Sequence, residues 1–282
     1  MRIKISADST CDLSPELVEN NHIAISPLSI CMGDKYYKDG TEITPKEIFA
    51  HVDNGGDLCS TTAVNVEEYQ AVFQELAPQY DAVVHITIGS GFSSCYQNAS
   101  IAAEAYPNVY VIDSQNLSTG HGLVVMRACQ LAEHVESVEK LVRELNDLVP
   151  RVEASFLLHR LDYMVKGGRC SSAAALGANL LHLRPCIEVV QGQMKVVKKY
   201  RGPYEKCLAN YVKDRLDGRM DQLEDGMIFI THTPVAPAEY QASHNAVLQY
   251  GRFRNVYETN AGCTVSCHCG PGTLGVLFIR KK

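Results

Sequence analysis

The feature that most constrains this 282-residue chain is the stretch AVVHITIGSGFSSCYQNASIAAEAY, residues 82–106. Residues 82–88 are almost wholly apolar and rich in Val and Ile, which is typical of a parallel strand covered on both faces. The Gly/Ser-rich turn that follows permits close approach of a ligand to the backbone. A helix after the turn directs free N–H groups and the positive end of its dipole toward it. The pattern predicts a site for a carboxylate or a phosphate, with Ser93 or Ser94 offering a hydroxyl.

The alternation of strands and helices predicts the fold class. Over the first half of the chain, strand patterns alternate with helix patterns, which favours a parallel sheet. After about residue 152 the pattern changes, because a hairpin around Gln191-Gly192 introduces antiparallel pairing. We therefore predict an α/β protein with a Rossmann-like domain at 1–152 and a mixed-sheet α+β domain at 153–282.

Local patterns predict individual elements. Residues 23–32 are predicted as one strand, followed by a hairpin at residues 33–34. Capping boxes at Thr44 and Asn65 each predict a helix, and a third helix is predicted over residues 172–183. Residues 59–63 and 115–122 are predicted as polar loops. Polar residues follow the ends of three strands, so we expect a ligand at the carboxyl edge of the sheet.

Composition excludes several classes of partner. The net charge of −6 and the pI near 5.9 argue against nucleic acid as a main partner and provide no general basic surface for membranes. No run of about 18 apolar residues is present, so we expect no stable membrane insertion. The chain enters a strand directly without a signal peptide, and we expect a cytoplasmic location. The eleven cysteines are interpreted as reduced thiols used as small apolar residues.

Two motifs have weak functional interpretations. Residues 270–275 match G-x-G-x-x-G, but a strand follows and the chain ends, so a tight turn beside a binding site is favoured over a dinucleotide site. Cys263, Cys267, His268 and Cys269 lack the paired spacing of a structural zinc site. We interpret them as apolar thiols around one functional histidine and predict no metal.

Ser93 has two interpretations. Its position between a strand and a helix resembles a nucleophile elbow, although the second glycine of G-x-S-x-G is missing. A triad of Ser93, His268 and Asp8 would make the protein a serine hydrolase of acyl esters. Alternatively, the Ser93 hydroxyl forms a hydrogen bond to a ligand or caps the helix. Arg169 and Arg201, each beside a glycine, either face solvent or present guanidinium groups to an anion or an acidic partner.

Six short motifs in order resemble the DegV family over essentially the whole chain. They are Asp8-Ser9-Thr10-Cys11-Asp12-Leu13, Thr61-Thr62, Ile88-Gly89-Ser90-Gly91-Phe92-Ser93, Val111-Ile112-Asp113-Ser114 with Leu117-Ser118-Thr119-Gly120, Leu161-Asp162-Tyr163 with Gly167-Gly168-Arg169, and His268 with Gly270-Pro271-Gly272 and Leu274-Gly275. The resemblance implies two α/β domains with a long-chain fatty acid between them. It also implies a bacterial fatty acid kinase, in which this chain is the lipid-binding subunit and a separate subunit phosphorylates the acyl carboxylate with ATP.

The resemblance also implies roles for particular residues. Thr61, Ser93 and His268 would bind the ligand carboxylate. Further candidates to line the site or to stabilise an oxyanion are Thr62, Ser94, Gly91 and Gly270. Arg201, with Arg169 as a companion, would face the kinase subunit. The chain would have no catalytic residue and no cofactor other than its bound fatty acid; a sensor or scaffold that binds lipid without a kinase remains open.

Overall fold

The computed structural model describes residues 1–175 and 183–282. Within these residues the strands are β1 (Ile3–Asp8), β2 (Ala24–Ser26), β3 (Ser29–Met32), β4 (Lys35–Lys38), β5 (Ser60–Thr62), β6 (Ala82–Thr87), β7 (Val109–Asp113), β8 (Val152–Leu157), β9 (Leu183–Val190), β10 (Gln193–Arg201), β11 (Met227–His232), β12 (Asn255–Asn260) and β13 (Leu274–Ile279). The helices are α1 (Pro15–Asn20), α2 (Pro45–Asp53), α3 (Val66–Leu76), α4 (Cys95–Ala103), α5 (Ser118–Ala132), α6 (Val138–Leu148), α7 (Asp162–Gly167), α8 (Ser171–Ala174), α9 (Tyr204–Leu216), α10 (Pro237–Tyr250) and α11 (Cys263–Cys269). None of the described helices is both long and apolar enough to cross a bilayer.

A four-stranded parallel sheet with the order β2-β1-β6-β7 forms the first structural unit. Every residue of β6 is buried. Val84 and Ile86 pack into a core with α5 and α6, whereas Val83 packs into a second core with α3 and α4. This alternation follows from the two-residue period of a strand. The predicted central strand, buried on both faces, is confirmed.

A six-stranded mixed sheet with the order β10-β9-β8-β13-β11-β12 forms the second unit. The predicted hairpin is confirmed as the antiparallel pair β9–β10, and β11 and β12 pair in parallel. One face packs on α9 and α10. The opposite face shares a core with α5, which also contacts β1 of the parallel sheet. The fold is therefore mixed α/β, as predicted, and α5 lies between the two sheets; the division at residue 152 stays a prediction.

A three-stranded antiparallel sheet, β4-β3-β5, corrects two predictions. The segment 23–32 is not one strand, because it divides at Pro27 into β2 of the parallel sheet and β3 of this small sheet. Proline has no N–H to donate to a ladder, and the next residue, Leu28, donates its N–H to Ser9 Oγ at 3.2 Å. The expected polar loop at residues 59–63 contains β5, since Thr61 pairs with Ile30.

Other local predictions were partly wrong. The predicted loop 115–122 ends earlier, because α5 begins at Ser118 and buries Thr119 and His121. Helix α11 was not predicted. Of the helix expected over residues 172–183, the structure shows α8 at its start, and residues 176–182 lie outside the described part of the chain.

The predicted capping boxes are confirmed. Thr44 Oγ1 accepts a hydrogen bond from the Glu47 N–H, and the Glu47 carboxylate accepts one from the Thr44 N–H. The same reciprocal pair joins Asn65 and Glu68 at the start of α3. Each pair satisfies N–H groups that have no partner within the helix, so short sequence signals placed these helix starts correctly.

Candidate functional site

The turn between β6 and α4 is held by its neighbours at the carboxyl edge of the parallel sheet. Ser90 donates from its N–H and its hydroxyl to the two oxygens of the Asp113 carboxylate, at 3.0 and 2.5 Å. Gly89 donates its N–H to the Asn116 carbonyl at 2.8 Å. A Cβ atom on Gly91 would lie 2.2 Å from the Gly192 carbonyl oxygen, so glycine is required where this turn packs on the β9–β10 hairpin. These contacts fix the backbone that carries Ser93.

Ser93 is half-buried and faces a cavity, whereas the adjacent Ser94 is exposed. The Ser93 hydroxyl accepts a long hydrogen bond from the Cys95 N–H at 3.3 Å and donates to Cys95 Sγ at 3.2 Å. Both hydrogen bonds are weak, because the N–H···O distance is long and sulfur is a poor acceptor. The hydroxyl is therefore free to turn toward a stronger acceptor such as a carboxylate.

Thr61 and His268 meet at the same cavity although they are 207 residues apart in the chain. Thr61 Oγ1 and His268 Nε2 are 2.8 Å apart. Thr61 is presented by β5 and His268 by α11, two elements that pack against each other. The fold thus brings together two side chains that lie far apart in the sequence.

Two buried carboxylates anchor the start of α11. Asp39 accepts hydrogen bonds from the Cys263 and Thr264 N–H groups at 2.8 and 3.2 Å, and Asp12 accepts one from the Gly262 N–H at 2.9 Å. Acceptors at this position satisfy the free N–H groups of a helix start. Burial raises the pKa of Asp12 to about 8, against the opposing hydrogen bonds that it accepts. These hydrogen bonds fix the start of α11 and thereby the position of His268 on that helix.

The electrostatic environment keeps His268 neutral. Burial, together with the nearby charge of Arg169, lowers the pKa of His268 to about 4. Its Nδ1 is buried without a hydrogen-bond partner among the described residues. A Cβ atom on Gly167 would lie only 2.4 Å from this Nδ1, so α7 closes over the ring. A neutral imidazole donates from one nitrogen and accepts at the other, which suits recognition of a carboxylate without proton transfer.

The cavity has a largely apolar lining, and its polar lining residues are Thr61, Ser93, Arg169, Thr264 and His268. Its volume is about 50 Å³, and its lining residues are Leu28, Thr61, Ala63, Ile88, Phe92, Ser93, Leu117, Arg169, Met194, Thr264, Val265, His268 and Cys269. A second cavity of about 30 Å³ continues between α5, α11 and the mixed sheet. Leu117, Val265 and Cys269 line both cavities and form the wall between them. We call the two cavities together the cleft.

The cleft differs from a larger groove elsewhere in the described structure. That groove, of about 590 Å³, lies beside Glu153 and Glu188, which form ion pairs with Arg215 and Arg219. Its charged side chains already pair with one another, and its floor is more polar than apolar. The cleft is smaller, but it is where the predicted site residues converge.

The structure places the two predicted partner-facing arginines differently. Arg169 lines the cavity beside His268, and its Nη1 donates to the Gly167 carbonyl at 2.8 Å. Arg201 is exposed at the end of the edge strand β10 and does not line the cavity. From the rise of a strand, it lies roughly 20 Å along β10 from Met194, which does line it. Arg169 therefore lines the same cavity as Thr61, Ser93 and His268.

The four further candidates are not among the residues that line this cavity, and their role at the site stays a prediction. Thr62 is exposed, because adjacent residues of a strand point to opposite faces and Thr61 takes the inner one. Ser94 is exposed as the N-cap of α4. Gly91 packs on the hairpin, and Gly270 packs on the Tyr163 ring, where a Cβ atom would lie 2.7 Å away.

The alternative triad of Ser93, His268 and Asp8 is not assembled. Asp8 is fully buried and accepts hydrogen bonds from Tyr69 at 2.6 Å, from the Ile88 N–H at 2.9 Å and from His85 at 3.2 Å. Burial raises the pKa of Asp8, but the hydrogen bond and charge of His85 outweigh it and lower the pKa overall. Because His268 contacts Thr61 instead, Asp8 orients no base beside Ser93.

Sequence reasoning missed the apolar lining of the cleft. Leu28, Leu117, Met194 and Val265 come from four separate segments and are buried like ordinary core residues. An apolar side chain gives no signal that distinguishes a cavity wall from a filled core, because both exclude water. The polar residues Thr61, Ser93 and His268 were indicated by the resemblance to a known family.

Comparison with known proteins identifies the family. The family model described as "Uncharacterised protein, DegV family" matches residues 2–281. A DegV domain-containing protein of Caldanaerobacter subterraneus subsp. tengcongensis is 30% identical over 284 residues, which cover 99% of each chain.

Two solved structures share the fold over nearly their whole length. One, of a DegV family protein from Thermus thermophilus whose description concerns fatty acid binding, has a TM-score of 0.92 and 27% identity and covers 100% of both chains. The other, a stearic acid-binding protein from Eubacterium ventriosum, has a TM-score of 0.85 and 26% identity and covers 99% of this chain and 98% of that one. Since the family model spans almost every residue and agrees with the fold, this chain belongs to the DegV family.

Proposed function

We propose that this protein binds a long-chain fatty acid in the cleft, with the carboxylate at Thr61, Ser93, His268 and Arg169. The observation that carries the proposal is that these four polar side chains line one largely apolar cavity, in which Thr61 and His268 are in contact. The acyl tail extends past Leu117 and Val265 into the second cavity. The fatty acids that the Thermus and Eubacterium relatives bind support this class of ligand.

The polar side chains that line the cavity have the chemistry that a buried carboxylate requires. A carboxylate removed from water is costly unless hydrogen-bond donors replace its hydration. Two hydroxyls and one imidazole supply neutral donors, and the Arg169 guanidinium adds a positive charge at the exposed side. The neutral state of His268 allows it to remain buried whether or not a ligand is bound.

The apolar walls provide the affinity. Each methylene that leaves water contributes about 0.8 kcal/mol, so the tail supplies most of the binding free energy before ordering costs. Ligand pockets of drug-sized molecules measure about 300–1,000 Å³. The cavities of about 50 and 30 Å³ are smaller, so we expect Leu117 and Val265 to move when the tail enters.

We further propose that the bound carboxylate is presented to a separate ATP-dependent fatty acid kinase subunit in the cytoplasm. In this reaction the carboxylate is the nucleophile, so the chain needs to hold it rather than activate it. Arg201 lies apart from the cleft on an exposed strand edge, where its guanidinium is available to an acidic partner surface. We assign Arg201 to the kinase contact and Arg169 to the carboxylate.

Ligand class is tested by releasing the bound lipid. The purified protein is denatured, and the extract is analysed by mass spectrometry. We expect a long-chain fatty acid, and titration with a fluorescent fatty acid should then show one site. Thr61→Val should weaken this binding, whereas the matched variant Thr62→Val should not, because Thr62 faces away. An empty protein that also fails to bind the probe would refute the proposal.

The kinase role is tested separately with a purified fatty acid kinase catalytic subunit and ATP. Arg201→Ala should lower the rate of acyl phosphate formation while fatty acid binding is retained. Lys199→Ala is the matched control, because Lys199 is exposed on the same face of β10. Unchanged turnover with Arg201→Ala would contradict the assignment of Arg201. Fatty acid binding without any turnover would favour a sensor or scaffold.

A further inference from the structure

The proposed carboxylate site has a pair of cysteines beside it. Cys59 immediately precedes β5, two residues before Thr61, and Cys267 immediately precedes His268 in α11. The two elements are in contact, and the hydrogen bond between Thr61 and His268 joins them. Both cysteines also belong to one apolar cluster with Ile43, Ile48 and Phe49. The fold therefore packs the two thiols into one apolar cluster, beside the elements that carry Thr61 and His268.

The two thiols differ in exposure and acidity. Cys59 is partly exposed, whereas Cys267 is buried. The hydrogen bond from the Cys267 thiol lowers the pKa of Cys59, in spite of partial burial. That same contact, together with burial, raises the pKa of Cys267. Of this pair, Cys59 is consequently the one that forms a thiolate within reach of solvent, and Cys267 keeps its proton.

We propose that Cys59 and Cys267 form a redox-modification site at which a peroxide converts the two thiols into a disulfide that links β5 to α11. The Cys59 thiolate attacks one oxygen of hydrogen peroxide and becomes a sulfenic acid, and the other oxygen leaves as water after taking up a proton. The Cys267 sulfur then attacks the Cys59 sulfur, the S–O bond breaks, and a second water leaves. In total, two thiols lose two protons and two electrons, and one peroxide is reduced to two waters.

The disulfide acts on ligand entry, and this consequence rests on the proposed function. β5 supplies Thr61 to the cleft, and α11 supplies Thr264, Val265 and His268. A covalent link between these elements resists the widening that a fatty acid tail requires. The oxidised protein should therefore take up fatty acid more slowly than the reduced protein, by about tenfold or more.

The site itself is tested by mapping the products of oxidation. The full chain is reduced, freed of reductant and treated with a small excess of hydrogen peroxide, and its peptides are analysed by mass spectrometry without reduction. We expect a linked pair of peptides that contain Cys59 and Cys267. Cys31→Ser is the matched control, because Cys31 is the other partly exposed cysteine, and it should leave this product unchanged. Cys59→Ser should abolish it. A bridge between Cys59 and Cys31, or irreversible oxidation of Cys59 alone, would overturn the proposal.

The consequence for the ligand has a separate readout. Stopped-flow uptake of a fluorescent fatty acid is compared for reduced protein, oxidised protein and oxidised protein that has been reduced again with dithiothreitol. We expect slow uptake only in the oxidised form, full recovery after reduction, and no response to peroxide in Cys59→Ser. Equal uptake in both forms of the wild type would overturn the link to ligand entry. Failure of the reduced protein to bind any fatty acid would refute the proposed function, whereas the peptide map would still decide the modification site.

Discussion

The hydroxyl of Ser93 offers a sharp test of the proposed site, because its neighbour Ser94 serves as a matched control. Ser93 lines the cavity, and its only hydrogen bonds in the described structure are weak contacts to Cys95. Ser94 is exposed and caps α4 without a side-chain hydrogen bond. The substitution Ser93→Ala removes one oxygen from the cavity wall and leaves the backbone of the turn in place.

The size of the effect follows from the kind of hydrogen bond that is lost. A hydrogen bond to a charged group contributes about 1.5–3 kcal/mol. At about 1.4 kcal/mol for each tenfold change, Ser93→Ala should weaken binding of the carboxylate by about 10- to 150-fold. The free energy of unfolding should change by no more than about 1 kcal/mol, because the hydrogen bonds to Cys95 are weak.

The assay compares a fatty acid with its methyl ester in wild type, Ser93→Ala and Ser94→Ala. Affinities are measured by competition with a fluorescent probe, and urea denaturation confirms that each variant is folded. Only the acid should lose affinity in Ser93→Ala, because the ester presents no charge to the hydroxyl. Equal losses for acid and ester, or an equal loss in Ser94→Ala, would refute the reasoning. Hydrolysis of the ester that depends on Ser93 would restore the serine hydrolase alternative.

Three further predictions concern the walls and supports of the cleft. Gly167→Ala would place a methyl group 2.4 Å from His268 Nδ1, so the imidazole ring should shift. The affinity for fatty acid should then fall by about tenfold, which corresponds to the loss of one good hydrogen bond. An unchanged dissociation constant would contradict this prediction. Leu117→Ala should lower the free energy of unfolding, measured in urea, by about 2–5 kcal/mol. It should also make the protein favour longer fatty acids over shorter ones, because Leu117 and Val265 separate the two cavities of the cleft. An unaltered chain-length preference would count against this role of Leu117. The pKa of Asp12 is raised from 3.8 to about 8, so between these pH values the folded protein keeps a proton that the unfolded chain releases. The free energy of unfolding therefore falls as the pH rises through this window, by at most about 1.4 kcal/mol per pH unit. Asp12→Asn should flatten the dependence of unfolding free energy on pH between 5 and 8, and a slope like that of wild type would argue against the raised pKa.

Much of the fold was predictable because its signals are local. The apolar run that became β6 and the capping boxes that start α2 and α3 depend on a few neighbouring residues. Predictions failed where a tertiary contact decided the conformation. Residues 60–62 are a strand only because β3 pairs with them. Helix α11 is short, and its start is held by carboxylates from distant parts of the chain, so local propensity did not indicate it.

The candidate site was predictable only in part. Resemblance to the family indicated Thr61, Ser93 and His268, and the structure places them around one cavity. It did not separate Arg169 from Arg201, because both are arginines beside glycine. Their surroundings differ, since Arg169 lies beside His268 and Arg201 ends an edge strand. That distinction required coordinates.

The sequence by itself determined the classes of element, the mixed α/β architecture and the polar groups near the ends of parallel strands. These features follow from periodicity and from turn chemistry, which act over a few residues. Only the tertiary structure decided that β5 and α11 meet, that Thr61 and not Thr62 faces the cavity, and that Cys59 packs against the same apolar cluster as Cys267. These outcomes depend on contacts between residues about 200 positions apart, whose partners no local pattern specifies. The strand–turn–helix at residues 82–103 supplies one wall of the cleft, and packing of distant elements supplies the rest.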